Sequence, residues 1–314
     1  MNTHKRILKT GAMAVAMTIV FAIFAFRAAE WTKGLDSSFI TYGADTGGTT
    51  GTGGTGGTGS STTKVVAQIA SGNYGDAEPR NYGTVMEIVN PGTTAVTVNG
   101  NFYNENGTPT SVPFAANNLT ITNGSFSNYS LAPGAILVIT TGTTAATTPA
   151  VGATTWGKFT SSAPISVTSF FELRHSATRQ LVARVGVPAS RADLGSFVIA
   201  RVREKQTADA LRAGLNDIDT GFALVNTGAA TAHVIVTAKD VNGQNVGFSE
   251  LIDLEPNRHV ANFAGFLFTR FNETAGQGRQ YQYLKFEATP ATVAAAGLSI
   301  EGGSLSSFPV DPIQ

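Results

Sequence analysis

The feature that most limits the folds open to this chain is an internal repeat of about 130 residues. Five landmarks recur in the same order in two copies. They are Asn90-Pro91-Gly92 and Asn226-Thr227-Gly228, the alternating runs Val96 to Tyr103 and Ala232 to Lys239, Asn106-Gly107 and Asn242-Gly243, Leu131-Ala132-Pro133-Gly134 and Leu254-Glu255-Pro256-Asn257, and Lys158-Phe159 and Lys285-Phe286. Five ordered matches indicate two copies of one folding unit, which we place at 64–191 and 192–310, with 311–314 as a tail.

The signals inside each copy are those of β-strands. Val96, Val98, Gly100 and Phe102 fall on one face of an alternating run, which is the period of a half-buried strand. Asn-Gly between such runs predicts a hairpin with a type I′ turn, in which both central residues have positive φ. Strands spaced about every 8–12 residues with turn signals between them are typical of a sandwich or barrel. The predicted class is all-β, with one short helix in 206–214.

The N-terminal residues have the pattern of an export signal. Three basic side chains in residues 1–10 precede an apolar stretch from Gly11 to Phe26, interrupted only by Thr18. A basic region followed by a short apolar region is typical of a secretory signal. The small-x-small cleavage triplet is poor, so a cleaved signal peptide and an uncleaved signal anchor both remain open for residues 1–30. In the anchored form, residues 7–26 form the predicted hydrophobic helix and the only membrane contact.

Residues 31–63 are predicted to be a flexible linker, because 46–63 consist almost wholly of Thr, Gly and Ser and have nothing to bury. The first 29 residues hold four basic and no acidic residues, which leaves a mildly acidic body in a chain of zero net charge. That balance gives no support for nucleic-acid binding. The chain has no cysteine, so neither disulfides nor thiolate metal sites are available.

The two copies together resemble a group of uncharacterised secreted bacterial proteins built from tandem immunoglobulin-like β-sandwich repeats. The motifs that carry the resemblance are Asn-Pro/Thr-Gly, Asp/Asn-x-Asn-Gly, Leu-x-Pro-Gly/Asn and Trp/Tyr-x-Lys-Phe, spread over residues 64–310. They are strand and turn motifs. The resemblance therefore implies a fold, two tandem immunoglobulin-like sandwiches, and an exported bacterial location, but no catalytic residue.

Candidate site residues are few. Asp217 and Asp219 alternate before a glycine, which could begin a calcium loop, although a plain turn is the simpler interpretation. Arg174, Arg201 and Arg203 belong to a basic run that could bind an anionic polymer, although acidic residues interleave with it. No metal-ligand spacing, nucleophile elbow or phosphate loop occurs.

Trp156 is predicted to be a sandwich core residue, and His175, His233 and His259 to be structural. We therefore expect a non-enzymatic protein without cofactors, in the cell envelope or outside the cell. Its predicted role is structural, adhesive or in surface display, with envelope or extracellular polysaccharide or protein as partner. A carbohydrate-binding or calcium-assisted recognition module is the alternative, and a hydrolase with a triad assembled from distant residues is a third hypothesis.

Overall fold

The computed structural model describes residues 62–73, 80–141, 152–200, 218–240, 242–246, 249–267, 283–301 and 304–313. The predicted targeting segment, almost all of the predicted linker and the predicted helix in 206–214 lie outside these residues. Within them the fold is all-β, as predicted, with one short helix, α1 (Ala264–Leu267). No helix in the described part of the chain is long and apolar enough to cross a membrane.

The first half forms two antiparallel sheets, which we call sandwich 1. Its strands are β1 (Thr63–Ser71), β2 (Arg80–Val89), β3 (Val96–Asn104), β4 (Phe114–Ala116), β5 (Ser125–Leu131), β6 (Ile136–Thr141), β7 (Ala153–Ser161), β8 (Ser166–His175) and β9 (Leu181–Pro188). One sheet has the order β1-β7-β3-β5 and the other β4-β6-β2-β8-β9.

The second half forms two further antiparallel sheets, which we call sandwich 2. Its strands are β10 (Ser196–Ala200), β11 (Ile218–Asn226), β12 (Ala232–Lys239), β13 (Glu250–Leu254), β14 (His259–Phe263), β15 (Tyr283–Pro290), β16 (Val293–Glu301), β17 (Ser304–Phe308) and β18 (Val310–Pro312). The sheet orders are β13-β12-β15-β10-β18 and β14-β11-β16-β17.

The strand orders of the two sandwiches match. β10, β15, β12 and β13 repeat the order of β1, β7, β3 and β5, while β14, β11, β16 and β17 repeat that of β6, β2, β8 and β9. Each sandwich adds one strand of its own, β4 beside β6 and β18 beside β10. The landmarks in the sequence therefore mark equivalent positions in two copies of one topology.

Each sandwich encloses its own hydrophobic core. The core of sandwich 1 joins Phe102 and Phe159 from one sheet to Met86 and Ile139 from the other. The core of sandwich 2 includes the stacked pair Phe197 and Phe286, whose ring centroids are 4.8 Å apart. The alternation seen in the sequence sets these inward positions, because successive side chains on a strand point to opposite faces.

The Asn-Gly turns differ from the prediction in one detail. In the first turn the Gly107 N–H donates to the Asn104 carbonyl at 2.9 Å, and Gly107 has φ of 80°. In the second, the Gly243 N–H donates to the Asp240 carbonyl, and Gly243 has φ of 74°. Only the glycine of each pair has positive φ, so each turn is a three-residue connection that ends in a left-handed glycine. The predicted type I′ turn is wrong because these loops hold one residue more than that turn accommodates.

The sheet order also limits the immunoglobulin comparison. In an immunoglobulin constant domain the first two strands are neighbours in one sheet. Here β1 and β2 belong to facing sheets. The fold is therefore an antiparallel two-sheet sandwich, and the immunoglobulin-like assignment stays a prediction.

Candidate functional site

The outward side of the sheet β4-β6-β2-β8-β9 carries a cluster of charged, aromatic and apolar side chains. We call it the open face and define it by Glu87, Ile136, Phe170, Glu172 and Arg184. The register brings these residues together, because Glu172 pairs with Arg184 across β8 and β9 and Glu87 lies on the neighbouring strand β2. Ile136 lies on β6 beyond β2 and is 56% exposed.

Charges on the open face alternate in sign and are paired with one another. The Arg184 guanidinium lies 3.6 Å from one Glu172 oxygen and 3.7 Å from Glu87. Its Cζ atom lies 4.1 Å from the centre of the Phe170 ring, a cation–π contact. These contacts hold the long Arg184 side chain between the two carboxylates and the Phe170 ring.

Arg174, one of the predicted ligand-binding residues, extends this set of contacts. Its Nε and a terminal nitrogen lie 2.9 Å and 2.8 Å from Oε2 of Glu172. A second terminal nitrogen donates to the Arg179 carbonyl. An anionic ligand at Arg174 would have to compete with the carboxylate of Glu172, which is itself buried.

The other predicted site residues are not brought to this face. Arg201, Arg203 and Asp217 lie outside the described residues. The backbone of Asp219 pairs with Ile300 in β16, and its side chain is not described. No group of three or more His, Asp or Glu side chains that could hold a metal ion occurs in the described part of the chain.

A second surface, which we call the seam, joins the two sandwiches. Outward side chains of β11 and β16, among them Ala223, Val225 and Ala296, pack against Val65, Trp156 and further residues of sandwich 1 in a third hydrophobic cluster. The small alanine side chains let two sheets approach closely. Ser190, in the segment that connects the two sandwiches, is hydrogen-bonded to both of them. Its backbone pairs with Val65 of sandwich 1, and its hydroxyl accepts the N–H of Ala295 of sandwich 2.

Trp156 belongs to this seam. It is fully buried and stacks on Tyr103, with ring centroids 4.4 Å apart. It lies on the face of β7 opposite to Phe159, because residues an odd number apart point to opposite sides of a strand. The expected core position of Trp156 is thus corrected: the side chain is buried between the sandwiches and not inside sandwich 1.

His259 is the polar centre of the seam. Its Nε2 lies 2.9 Å from Oε1 of Gln68, a buried contact between sandwich 2 and sandwich 1. Its backbone N–H donates to the carbonyl of Glu105, in the turn after β3. Burial lowers the pKa of His259 from 6.5 to about 3, although the nearby Ala67 backbone acts in the opposite direction. The imidazole is therefore neutral at physiological pH.

His233 differs from His259. Its Nδ1 lies 2.6 Å from Asp253 on the exposed side of the β12–β13 pair. The sequence assigned both histidines a structural role without distinguishing them. His259 differs from His233 because it has a partner across the seam, Gln68. Gln68 is remote in sequence, and no motif in the sequence links it to His259.

The seam and the open face occupy equivalent positions in the two copies. Val89 pairs with Ile136, and its counterpart Val225 pairs with His259, so Ile136 is the equivalent of His259. Counting from the equivalent residues Asn90 and Asn226, Glu87 corresponds to Ala223. The same side of the same sheet is thus buried in sandwich 2 and exposed in sandwich 1.

Comparison with known proteins adds little. No family model matches the chain, and no curated protein matches it. Among solved structures, the chain is similar to a crystal structure of allantoicase from Saccharomyces cerevisiae at 7% identity over 74% of this chain and 77% of that one, with a TM-score of 0.17. A similarity at that score carries no argument about fold or function.

Proposed function

We propose that this chain is a non-enzymatic exported protein, structural or adhesive, that displays two β-sandwiches of the immunoglobulin-like kind at the cell surface and makes contacts through the open face of sandwich 1. The N-terminal basic and apolar pattern supports export, and the Gly/Thr-rich stretch supports display at a distance from the membrane. Its contact partner is an envelope or extracellular polysaccharide or protein.

The observation that carries the proposal is the unequal use of one face. In sandwich 2 this face docks against a neighbouring sandwich, while in sandwich 1 it stays open with Ile136 exposed and its charges already paired. Ordered side chains lose little conformational entropy when a partner binds, and an apolar residue among them gains from burial. The open face therefore has the character of a contact surface.

Two experiments test the two halves of the proposal. Cell fractionation with N-terminal sequencing of the mature protein addresses export. We expect the protein in the envelope or medium, whereas recovery in the cytosol with Met1 intact would contradict it.

The second experiment measures adhesion of beads that carry the full chain to envelope polysaccharide and to intact cells. We expect Ile136→Glu to weaken adhesion about tenfold, because a buried contact residue contributes more than 1 kcal/mol. Leu251→Glu is the matched control, since Leu251 is 60% exposed on a strand of sandwich 2. If both variants adhere as strongly as the unchanged chain, the open face is not the contact surface. A glycan array run beside it tests the carbohydrate-binding alternative.

A further inference from the structure

The seam joins two units that each have a hydrophobic core of their own. Sandwich 1 and sandwich 2 have separate hydrophobic cores, and a third cluster joins outward side chains of β7, β11 and β16 to inward side chains of β8 and β9 at one edge of sandwich 1. The chain passes from one to the other through 189–195, where Ser190 is held by Val65 and Ala295. Separation of the sandwiches would break the third cluster, the contact between β9 and β17 and a few hydrogen bonds, but not the contacts within the two separate cores.

His259 lies where a positive charge would be least tolerated. Its ring faces Gln68 and the β1 backbone at Ala67, and its strand partner is Val225. Gln68 Oε1 can accept one hydrogen bond from the imidazole, but a neutral amide does not balance an imidazolium. Among the described residues, no carboxylate is in ion-pair contact with the ring. A buried positive charge without a negative partner is costly.

The other titratable groups around His259 lie in the turns that flank it. Glu105 stands in the turn after β3, and burial raises its pKa against the lowering effect of a hydrogen bond with Thr154. Glu255 and Arg258 precede His259 and pair with each other at 3.1 Å. Tyr103, stacked on Trp156, has a pKa raised by burial. The outward side chains of β1, β11 and β16 named in the seam are apolar or amide groups.

We propose that the seam is an acid-released latch, in which protonation of the His259 imidazole separates sandwich 2 from sandwich 1 while both sandwiches stay folded. The proposal concerns conformation and does not depend on the adhesive function. Its structural basis is the buried His259–Gln68 contact across a largely apolar interface between two units that have separate hydrophobic cores.

The direction of the pH effect follows from proton linkage. The separated state binds a proton at His259 near the ordinary pKa of 6.5, whereas the docked state binds it only near 3. Between these values the separated state holds more protons, so the docking equilibrium constant falls about tenfold for each pH unit of acidification. Glu105 acts in the opposite direction above its ordinary pKa of 4.5, because its protonated form is favoured when it is buried.

Trp156 gives a direct readout. The chain has two tryptophans, and Trp31→Phe leaves Trp156, buried in the seam, as the only one. The full chain in mild detergent is titrated from pH 7.5 to pH 3.5, with tryptophan emission, far-ultraviolet circular dichroism and small-angle scattering recorded together. We expect a red shift of emission and a larger radius of gyration below pH 6, with the strand signal of the dichroism unchanged.

Variants decide between the latch and general acid unfolding. His259→Gln keeps a hydrogen-bonding group without the titration, and we expect it to abolish the acid-induced red shift. His233→Gln, at the exposed histidine of the same sandwich, should leave the shift intact. Gln68→Glu places a carboxylate against the imidazole and should move the midpoint about one pH unit or more toward acid.

Three outcomes would overturn the latch. They are a red shift that persists in His259→Gln, emission that stays constant to pH 3.5 in the Trp31→Phe chain, and a red shift that coincides with loss of the strand signal. An unmoved or more alkaline midpoint in a folded Gln68→Glu chain would overturn it as well.

Discussion

At the scale of single residues, the repeat is explained by two buried asparagines. The Asn90 Nδ2 donates to the carbonyls of Thr94 and Leu131, and its Oδ1 accepts the Gly92 N–H at 2.9 Å. Asn226 makes the same three hydrogen bonds in sandwich 2, to Ala230, Leu254 and Gly228. Only an amide side chain both donates twice and accepts in this way. The local part, Asn followed two residues later by Gly, was visible in the sequence, while the bond to a distant strand was not.

We expect Asn226→Ala to lower the free energy of unfolding by about 2–4 kcal/mol, because it leaves buried carbonyl groups without donors. Asn226→Asp should also be destabilising, since a carboxylate cannot donate to two carbonyls. Chemical denaturation monitored by circular dichroism measures both. Asn99→Ala, which removes a hydrogen bond near the surface, is the control and should cost under about 1 kcal/mol. Equal losses in Asn99→Ala and Asn226→Ala would contradict this account.

At the scale of strands, Gly100 shows how one position sets the packing of two neighbours. A Cβ atom added there would lie within 3.0 Å of three atoms of the Phe126 ring, which covers Gly100 from the paired strand β5. The register of β3 with β5 shifts at this point, between Val98 and Gly100. The alternation in the sequence placed Gly100 on the inward face, but it could not show which ring fills the space of the missing side chain.

Gly100→Ala should therefore destabilise the fold by about 1–3 kcal/mol through overpacking. Adding Phe126→Leu to that variant should recover part of the loss, because the two sites share one volume. Gly195→Ala is the matched control, since nothing lies within 4 Å of its added Cβ, and it should be neutral or slightly stabilising. Thermal unfolding of the three variants provides the comparison. Additive effects in the double variant would rule out the shared packing.

The last strand protects an edge. β18 pairs with β10 through Phe197 and Ile199, and Pro312 within β18 cannot donate an outward hydrogen bond. A chain that ends at Phe308 should expose the β10 edge and self-associate, because an unpaired edge strand is a template for another chain. Light scattering after size-exclusion chromatography would show the increase in mass. If the truncated chain shows no increase in particle mass, β18 is not needed to protect this edge.

At the scale of the whole molecule, the two copies differ in what they expose. Sandwich 2 has Ala223 where sandwich 1 has Glu87, and this exchange of a small apolar side chain for a charged one accompanies the change from a buried face to an open one. Burial of an unpaired charge is costly, so the glutamate is compatible only with the exposed copy.

Ala223→Glu should accordingly separate the sandwiches at neutral pH while both cores remain folded. Small-angle scattering should show a larger radius of gyration with unchanged circular dichroism. The reciprocal change, Glu87→Ala, removes a charge from the open face and should leave the compact form intact, which makes it the control. A compact Ala223→Glu chain would mean that the seam tolerates a charge and that alanine at 223 is not required for docking.

Much of the fold could be predicted because strand alternation and turn residues act over a few neighbours. The sites were harder, as Trp156, Arg174 and His259 show. The alternation along β7 places Trp156 on the same side as Lys158 and opposite to Phe159. Trp156 was nevertheless assigned to the core of sandwich 1, because large aromatic side chains near core residues are usually core residues themselves. The sequence suggested that Arg174 was available to bind an anionic ligand. Its ion pair with Glu172, two positions away on the same strand, cannot be seen from the sequence.

The sequence by itself determined the all-β class, the repeat and the positions of the turns, although not their type, because these depend on side-chain spacing and on the backbone preferences of Gly and Asn. The tertiary structure alone decided which outward faces are buried. That outcome depends on the packing of one sandwich against the other, through contacts such as Gln68 with His259 that are 191 positions apart. The internal repeat thus produces two sandwiches whose strand orders match. Only their packing against each other buries the outward face of sandwich 2 and leaves the equivalent face of sandwich 1 open.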